Sequence, residues 1–594
     1  MPKKKPALAA RAAKAQVVLS GISASPGIAV GKVFLVPDDR FNLEARPIAA
    51  AQVAGEIERL QNAIAQTLDA LQRDAARTEK KIGKDHARIF EFHRLMLADP
   101  YFLEEVFALI RNQYLNAATA FAQHLDHYAE QLSKKDKIFR DRVADVRDIK
   151  RRVLQHLHGV TVQHLEHFNE AMIIVARELT PSLTLASDRH KIKAFATDFG
   201  GKTSHAAILM RSYGIPAVVG LQRLSGTLKN NDRLIVDGDK GIVLVNPSRT
   251  TLAHYQLEQN KREAKIRKLG QLRDLPAVTS DQHPLTLAAN VEFADEVEAV
   301  LQHGASGIGL LRTEYLYLNS STLPTEDEQY REYQRIAAAV KPNPVIIRTM
   351  DLGADKCPPY LDIAPEANPM LGWRAIRIGL DKPEILSAQI KAILRANTEG
   401  NIKILLPMIS AIDELEQALA LIEKAKAELA KQGKPFAAGT EIGVMIEVPS
   451  AALMAEALAE RVDFLSIGTN DLVQYLLAVD RGNDRIAHLY EDLHPAVLRL
   501  IKSVIEAGHR RGVWVGMCGE MAADRLATPL LIGMGIDELS VSPFDVPEIK
   551  KIIRHTNFRE AKKLAQKALT FNTTKEIADF IRQYMRPRFK DITI

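Results

Sequence analysis

Apolar positions make the first division of the chain. After an apolar segment from Val17 to Val36, punctuated by Ser25-Pro26-Gly27, the residues Val53, Ile57, Leu60, Ile64, Leu68 and Leu71 recur at steps of three and four. That spacing places them on one stripe of an amphipathic helix. Further stripes run from Ile89 to Leu97, Phe102 to Ile110, Phe121 to Leu132 and Val143 to Leu157, the first of them stopping before Asp99-Pro100. Amphipathic helices with short breaks predict a helical bundle over 49–159, closed by Gly159.

From residue 160 the period changes. Met172-Ile173-Ile174-Val175 reads as a buried strand, and Thr180-Pro181 as a helix start with Pro at the first helical position. Strand character returns at 194–197 and at Pro216 to Val219, a helix ends at Gly214, and Asp237-Gly238-Asp239-Lys240-Gly241 predicts a hairpin. Residues 17–48 and 160–248 are read as one α/β domain interrupted by the bundle. Residues 249–276, helical and mostly polar from Leu252 to Leu272, are read as a linker helix.

Beyond Pro276, apolar runs at 285–291, 307–311, 345–350, 402–408, 442–447, 463–467, 513–518 and 537–541 alternate with helical stretches. Repeated β/α units of this number predict a (β/α)8 TIM barrel over 277–594, so the fold class is multidomain α/β. Polar residues stand at the strand ends: Asn290, Arg312, Arg348 with Asp351, Glu447, Asn470 with Asp471, and Cys518 with Glu520. A barrel enzyme gathers its chemistry on that face. Two arginines and two acids there describe a site for a phosphate-bearing anion and a divalent metal.

Composition narrows the classes. The 594 residues carry 79 Lys+Arg against 73 Asp+Glu and are 46% apolar, which provides a core for each of several domains. Two cysteines, Cys357 and Cys518, cannot form a disulfide framework or a four-cysteine zinc site, and they suit a reducing cytosol. The net charge of +6 is too small for a nucleic-acid surface. Only the start is biased: Lys3, Lys4, Lys5, Arg11 and Lys14 make residues 1–16 a short basic tail, expected to be mobile. No window reaches the ~18 uninterrupted apolar residues of a spanning helix. A cytoplasmic protein with neither membrane nor nucleic-acid partner is expected.

One string carries more specific chemistry. Thr197-Asp198-Phe199-Gly200-Gly201-Lys202-Thr203-Ser204-His205-Ala206-Ala207-Ile208 stands between a strand and a helix, where a glycine turn and free helix amides favour an anion. His205 sits where a phosphoryl group would be tolerated. The string resembles the phosphohistidine domain of phosphoenolpyruvate-utilising enzymes, whose histidine is the phosphoryl acceptor. In the barrel, Gly307-Ile308-Gly309-Leu310-Leu311-Arg312-Thr313-Glu314, Ile446-Glu447-Val448-Pro449-Ser450, Ser466-Ile467-Gly468-Thr469-Asn470-Asp471-Leu472 and Gly516-Met517-Cys518-Gly519-Glu520 look like the phosphoenolpyruvate-binding barrel of the same superfamily. The chain has no room for the nucleotide-binding domain of the dikinase and synthase branches. An interleaved bundle opening with Ser25-Pro26-Gly27-Ile28-Ala29-Val30-Gly31 resembles the enzyme I branch of the bacterial sugar phosphotransferase system. Lys202 stands where many relatives have Arg, which keeps the charge but not the bidentate fork.

The resemblance implies that His205 takes the phosphoryl group from phosphoenolpyruvate and passes it to a histidine phosphocarrier protein that docks on the bundle. It implies Arg312, Arg348, Arg374, Arg481 and Asn470 as substrate ligands, Glu447 and Asp471 as ligands of Mg2+, and Cys518 as proton donor to the enolate. It further implies a homodimer through the barrel and a role in sugar transport. A synthase-like enzyme, a nitrogen-regulatory phosphotransferase and an inactive regulatory module are the alternatives.

Overall fold

The computed structural model describes residues 16–36, 47–82, 90, 93–133, 143–158, 170–177, 191–200, 210, 214–318, 320, 322–353, 358, 360–361, 366–481, 483 and 485–589. The basic tail through residue 15, Gly159, the Thr180-Pro181 helix start, Cys357 and the segment 201–209 with Lys202 and His205 lie outside them. The chain forms two compact units that divide between Ala264 and Lys265.

In the first unit, α1 (Val53–Ile82), α2 (Pro100–Gln113), α3 (Ala117–Ser133) and α4 (Val143–Leu157) are helices of the bundle. The stripe on α1 does what its spacing requires: Leu60, Ile64 and Leu71 are buried with Phe121, Leu125, Ile149 and Val153. Asp99 caps α2, its carboxylate accepting from the Tyr101 amide at 2.9 Å, and Pro100 occupies the first helical position, where no amide is needed.

The α/β part of this unit is one mixed sheet of order β1-β8-β7-β3-β4-β5-β6-β2. Its strands are β1 (Val17–Ser20), β2 (Ile22–Ser25), β3 (Ile28–Leu35), β4 (Met172–Ala176), β5 (Ile192–Thr197), β6 (Ala217–Val219), β7 (Arg233–Asp237) and β8 (Ile242–Val245). The middle run from β3 to β6 is parallel and both edges are antiparallel. The expected hairpin is β7–β8, with Asp237 opposite Ile242. After β5, Gly200 has φ +130°, a backbone that side chains with a Cβ rarely adopt, and it is the last described residue before the His205 segment. Upstream of it, buried Asp198 accepts from the Ser225 amide at 3.1 Å and from the Ser225 hydroxyl, which fixes the turn.

The polar helix α5 (Arg249–Gly270) runs across the boundary between the units. Its first turns belong to the sheet. Tyr255 is buried against Ile235 and Leu244 and donates to Asp237 Oδ2 at 3.2 Å, and Arg262 pairs with Asp239 of the hairpin turn.

The second unit is a closed barrel of β9 (Thr286–Val291), β10 (Ile308–Leu311), β11 (Val345–Arg348), β12 (Ile402–Leu406), β13 (Ile442–Ile446), β14 (Phe464–Ile467), β15 (Trp514–Met517) and β16 (Glu538–Val541). Every strand pairs in parallel with its neighbour, and β16 closes on β9. The expected multidomain α/β class with a terminal TIM barrel holds. Leu310, Ile346, Leu405, Met445 and Phe464 form an inner cluster, while Ile347, Ile404, Val444, Leu465 and Val515 join the larger core outside the strands. Both faces are therefore apolar, so these strands read as unbroken apolar runs in the sequence. Helices Phe558–Ala568 and Thr574–Met585 bury Leu564 and Ile581 in that outer core.

Phe464 and Trp514, near the N-terminal ends of their strands, stack at 4.6 Å with rings 4° apart. Glu538 lies at the same end. A Cβ on Gly309 would fall 2.8 Å from its Oε1 and 2.6 Å from Ser540 Oγ, so the glycine makes room for both. Burial pushes the Glu538 carboxyl up to about 7, with Lys403 opposing. The unfolded carboxyl loses its proton near 4.5 while the folded one keeps it, so stability is full below 4.5 and falls as pH rises through about 7. Glu538→Gln is expected to flatten that fall and to stabilise the barrel at pH 8 by on the order of 2–3 kcal/mol. Urea unfolding at pH 5 and pH 8 reads the effect, and an unchanged difference between the two would exclude Glu538 as its source.

Candidate functional site

Period-two alternation inside the barrel brings charge to the C-terminal ends of the strands. Ile346 and then Arg348 point inward from β11, Met445 and then Glu447 from β13, and Gly516 and then Cys518 from β15. Arg312 and Glu314 follow β10, and Asp471 stands in the first turn of α6 (Thr469–Leu477), which follows β14.

These side chains form a row of alternating charge. Arg348 donates to Glu314 Oε1 at 2.9 Å and lies 3.1 Å from Asp351 Oδ2. Arg374 embraces Asp351 from the other side, donating through Nε at 3.1 Å and through one terminal nitrogen at 3.0 and 2.9 Å. The same nitrogen reaches Asp471 Oδ2 at 3.3 Å, and Arg481 stands 3.9 Å from Asp471 Oδ1. Arg374 also donates to the Tyr475 hydroxyl at 3.0 Å. Glu314, Arg348, Asp351, Arg374, Glu447 and Asp471 are all buried. Burial opposes the charge on Arg348 and Arg374, but the surrounding carboxylates outweigh it and hold both guanidiniums protonated.

The acids carry the strain of this arrangement. Burial, followed by the charges of Asp471 and Asp351, pushes the Glu447 carboxyl up to about 8, although Arg348 and Arg374 pull it down. Glu447 Oε1 accepts the Met408 amide at 2.6 Å. Asp471 Oδ1 is buried and accepts no hydrogen bond from the described residues. Crowded carboxylates, one with an unused oxygen, fit a divalent cation that would neutralise them. Among the described residues no three His, Cys, Asp or Glu side chains meet as a metal-binding group.

Around this centre, Arg312 pairs with Glu292 at 2.6 Å and is partly exposed. Asn470 is held to the next loop: its Oδ1 accepts the Glu520 amide at 2.8 Å, and its Nδ2 lies 3.5 Å from Glu520 Oε1. Cys518 is buried in the inner cluster, and burial pushes its thiol up to about 11.

The barrel thus brings Arg348, Arg374, Glu447 and Asp471 together, with Arg481 beside Asp471. Arg312 and Asn470 are engaged with Glu292 and Glu520, and Cys518 lies inside the barrel. His205 lies outside the described residues. Sequence reading passed over Glu292 and Tyr475, and it gave no counter-ion role to Glu314 or Asp351. The available signals were weak: Tyr475 is four residues after Asp471 on one helix face, and Asp351 is three after Arg348.

A trianionic phosphate ester is what such a site would bind. Arg348 and Arg374 present fixed donors, and the two acids can hold a cation against its oxygens.

Comparison with known proteins gives this geometry a family. Models of PEP-utilising enzymes match three successive segments: the N-terminal model at residues 20–142, the mobile domain at 168–241 and the PEP-binding domain at 266–558. The chain is 42% identical over 569 residues to the phosphoenolpyruvate-protein phosphotransferase of Haemophilus influenzae, covering 96% of this chain and 99% of that one. It is 42% identical over 566 residues to that of Geobacillus stearothermophilus, covering 95% and 98%. The Bacillus subtilis relative is 41% identical over 566 residues, with 95% and 99% covered. With the barrel, the charged mouth and near-complete alignment in agreement, the chain belongs to the phosphoenolpyruvate-protein phosphotransferase family of PEP-utilising enzymes.

Proposed function

We propose that the chain transfers the phosphoryl group of phosphoenolpyruvate to its own His205 and then to a histidine of a phosphocarrier protein, as the first step of sugar phosphotransfer. The observation that carries this reading is the buried row Arg348–Asp351–Arg374–Asp471 at the barrel mouth, whose guanidiniums are held charged and oriented. In this reading Arg348 and Arg374 take phosphate and carboxylate oxygens, while Arg312, Arg481 and Asn470 close around the substrate from the rim. Glu447 and Asp471 would hold Mg2+, which supplies neutralisation of the substrate's charge when bound. Transfer to the imidazole breaks the bond between phosphorus and the enol oxygen and leaves the enolate of pyruvate, and Cys518 gives its thiol proton to the methylene carbon. The thiol is well suited, since burial keeps it protonated at neutral pH. The bundle is assigned to carrier docking, and a barrel-mediated homodimer in the cytoplasm completes the proposal.

Incubation of the full chain with phosphoenolpyruvate and Mg2+, followed by intact mass and a pyruvate assay, tests the acceptor. Wild type is expected to gain one acid-labile phosphoryl group, and His205→Ala none. Stoichiometric labelling of His205→Ala would move the acceptor elsewhere.

The metal assignment has a pH signature. Glu447 holds a proton until about 8, so below that value the cation must displace it. Mg2+ affinity measured by calorimetry should climb with pH up to about 8, with proton release, and the climb should vanish in Glu447→Gln. Asp471→Asn should weaken binding throughout. Wild-type titrations in both variants would return the acids to a structural role.

Asp351 compensates two buried guanidiniums. Asp351→Asn is expected to destabilise the barrel by about 3 kcal/mol, because two buried guanidiniums each lose one of the acids that compensate them. The exposed pair Glu104–Arg111, at 2.6 Å, is the control. Glu104→Gln should leave stability nearly unchanged, because solvent screens an exposed pair. Denaturant titration of both variants checks the contrast, and equal losses would contradict it.

A further inference from the structure

The thiol of Cys518 is itself held. Its amide donates to the Ile467 carbonyl at 3.1 Å, and its own carbonyl accepts from Asn290 Nδ2 at 3.0 Å. Asn290 Oδ1 in turn accepts the Ser540 hydroxyl at 2.6 Å. These three bonds fix the backbone of the residue between β14, β15 and β9. The sulfur has a separate partner. Ser466, on β14 and 2% exposed, directs its hydroxyl to Cys518 Sγ at 3.4 Å, and Sγ lies 3.9 Å from the Ile467 carbonyl. Ser466 pairs with Gly516 across the β14–β15 ladder, two residues before the cysteine.

A buried serine on an apolar strand is otherwise costly, since its hydroxyl must find a partner away from water. Here the partner is the one thiol among the described residues, at the face where the substrate's enolate would form. We propose that Ser466 is a positioning residue for the proton-transfer step: its hydroxyl orients the Cys518 thiol and stabilises the thiolate left when that proton goes to carbon. The inference rests on the reading of Cys518 as the acid.

The enolate carbon of pyruvate uses its electron pair to form a C–H bond with the thiol proton, the S–H bond breaks, and its pair stays on sulfur as thiolate. The Ser466 hydroxyl remains protonated and donates to that anion, a bond stronger than the one to the neutral thiol. Water returns a proton to sulfur after pyruvate leaves. The gain is therefore larger after proton transfer than before it, which is the condition for accelerating the step rather than for holding the substrate. The electrostatics point the same way: burial disfavours the thiolate, Ser466 heads the contacts that favour it, Arg348 and Arg312 assist, and Glu447 opposes.

Single-turnover experiments on the full chain with phosphoenolpyruvate and Mg2+ test the proposal, with phosphoenzyme and pyruvate followed separately in H2O and D2O. Ser466→Ala is expected to leave the half-saturating substrate concentration within about 2-fold of wild type while slowing pyruvate formation about 10- to 100-fold, the usual effect of one hydrogen bond to a charged group. Ser466→Thr, which keeps the hydroxyl, should recover most of the rate. In a Cys518→Ala background, Ser466→Ala should add no further slowing, because its partner is gone. Equal slowing in both backgrounds, or no recovery with threonine in a folded variant, would make Ser466 a packing residue and overturn the proposal. If Cys518→Ala itself formed pyruvate at the wild-type rate, the assignment of the acid would fail. A slow Cys518→Ala beside an unimpaired Ser466→Ala would remove only the role given to Ser466.

Discussion

Compensation of buried charge governs the barrel mouth. Asp351 stands between Arg348 at 3.1 Å and Arg374 at 2.9 Å, so one buried carboxylate compensates two buried guanidiniums. Glu314 and Asp471 extend the row, so each guanidinium meets acids on two sides. The result is a set of donors with fixed directions and no freedom to collapse onto one another. Positive groups held in this way need no reorganisation when an anion arrives, and that lowers the barrier of a phosphoryl transfer.

The same crowding creates the opening for a cation. Glu447 is pushed up to about 8 because burial and two neighbouring carboxylates disfavour its charge, and Asp471 keeps a buried oxygen without a hydrogen bond from the described residues. Such a cluster is poorly satisfied by protein alone. In the proposed function a divalent ion and the oxygens of a phosphate ester would meet that deficit.

Below the charged layer Leu310, Leu405 and Met445 pack the middle of the barrel, and the Phe464–Trp514 stack lies at the far end beside a cavity lined by Ile346, Lys403 and Glu538, so polar groups buried in the middle satisfy one another. Ser540, Asn290 and the Cys518 carbonyl form one such chain, and Ser466 with the Cys518 sulfur forms another. Both chains thus end on the same cysteine. In the first unit the comparable device is the hairpin of β7 and β8, where Asp237 and Asp239 hold Tyr255 and Arg262 of the otherwise polar helix α5.

Local chemistry was legible in the sequence. The stripe from Val53 to Leu71, the Asp99-Pro100 helix start and the hairpin at 237–241 follow from spacing and turn residues alone, because a helix face and a tight turn depend on neighbours a few positions away. The eight apolar runs located the barrel strands to within a few residues at each end, and their polar ends located Arg348, Glu447 and Cys518 at one mouth. Sequence order did not reveal the mixed sheet, in which β1 pairs with β8 and β2 with β6 across some 200 residues. Nor did it reveal which charges meet. Arg374 and Asp471 are 97 positions apart and meet at the barrel mouth, and Ser466 and Cys518 are 52 apart and meet because β14 and β15 pair as neighbours. Residue types and their periods fixed the elements and the chemical vocabulary of the site. Counter-ions, burial and the partner of the thiol were decided by the tertiary pairing of the barrel strands, since electrostatic energy depends on distance in space and on exclusion of water, and a linear sequence encodes neither directly.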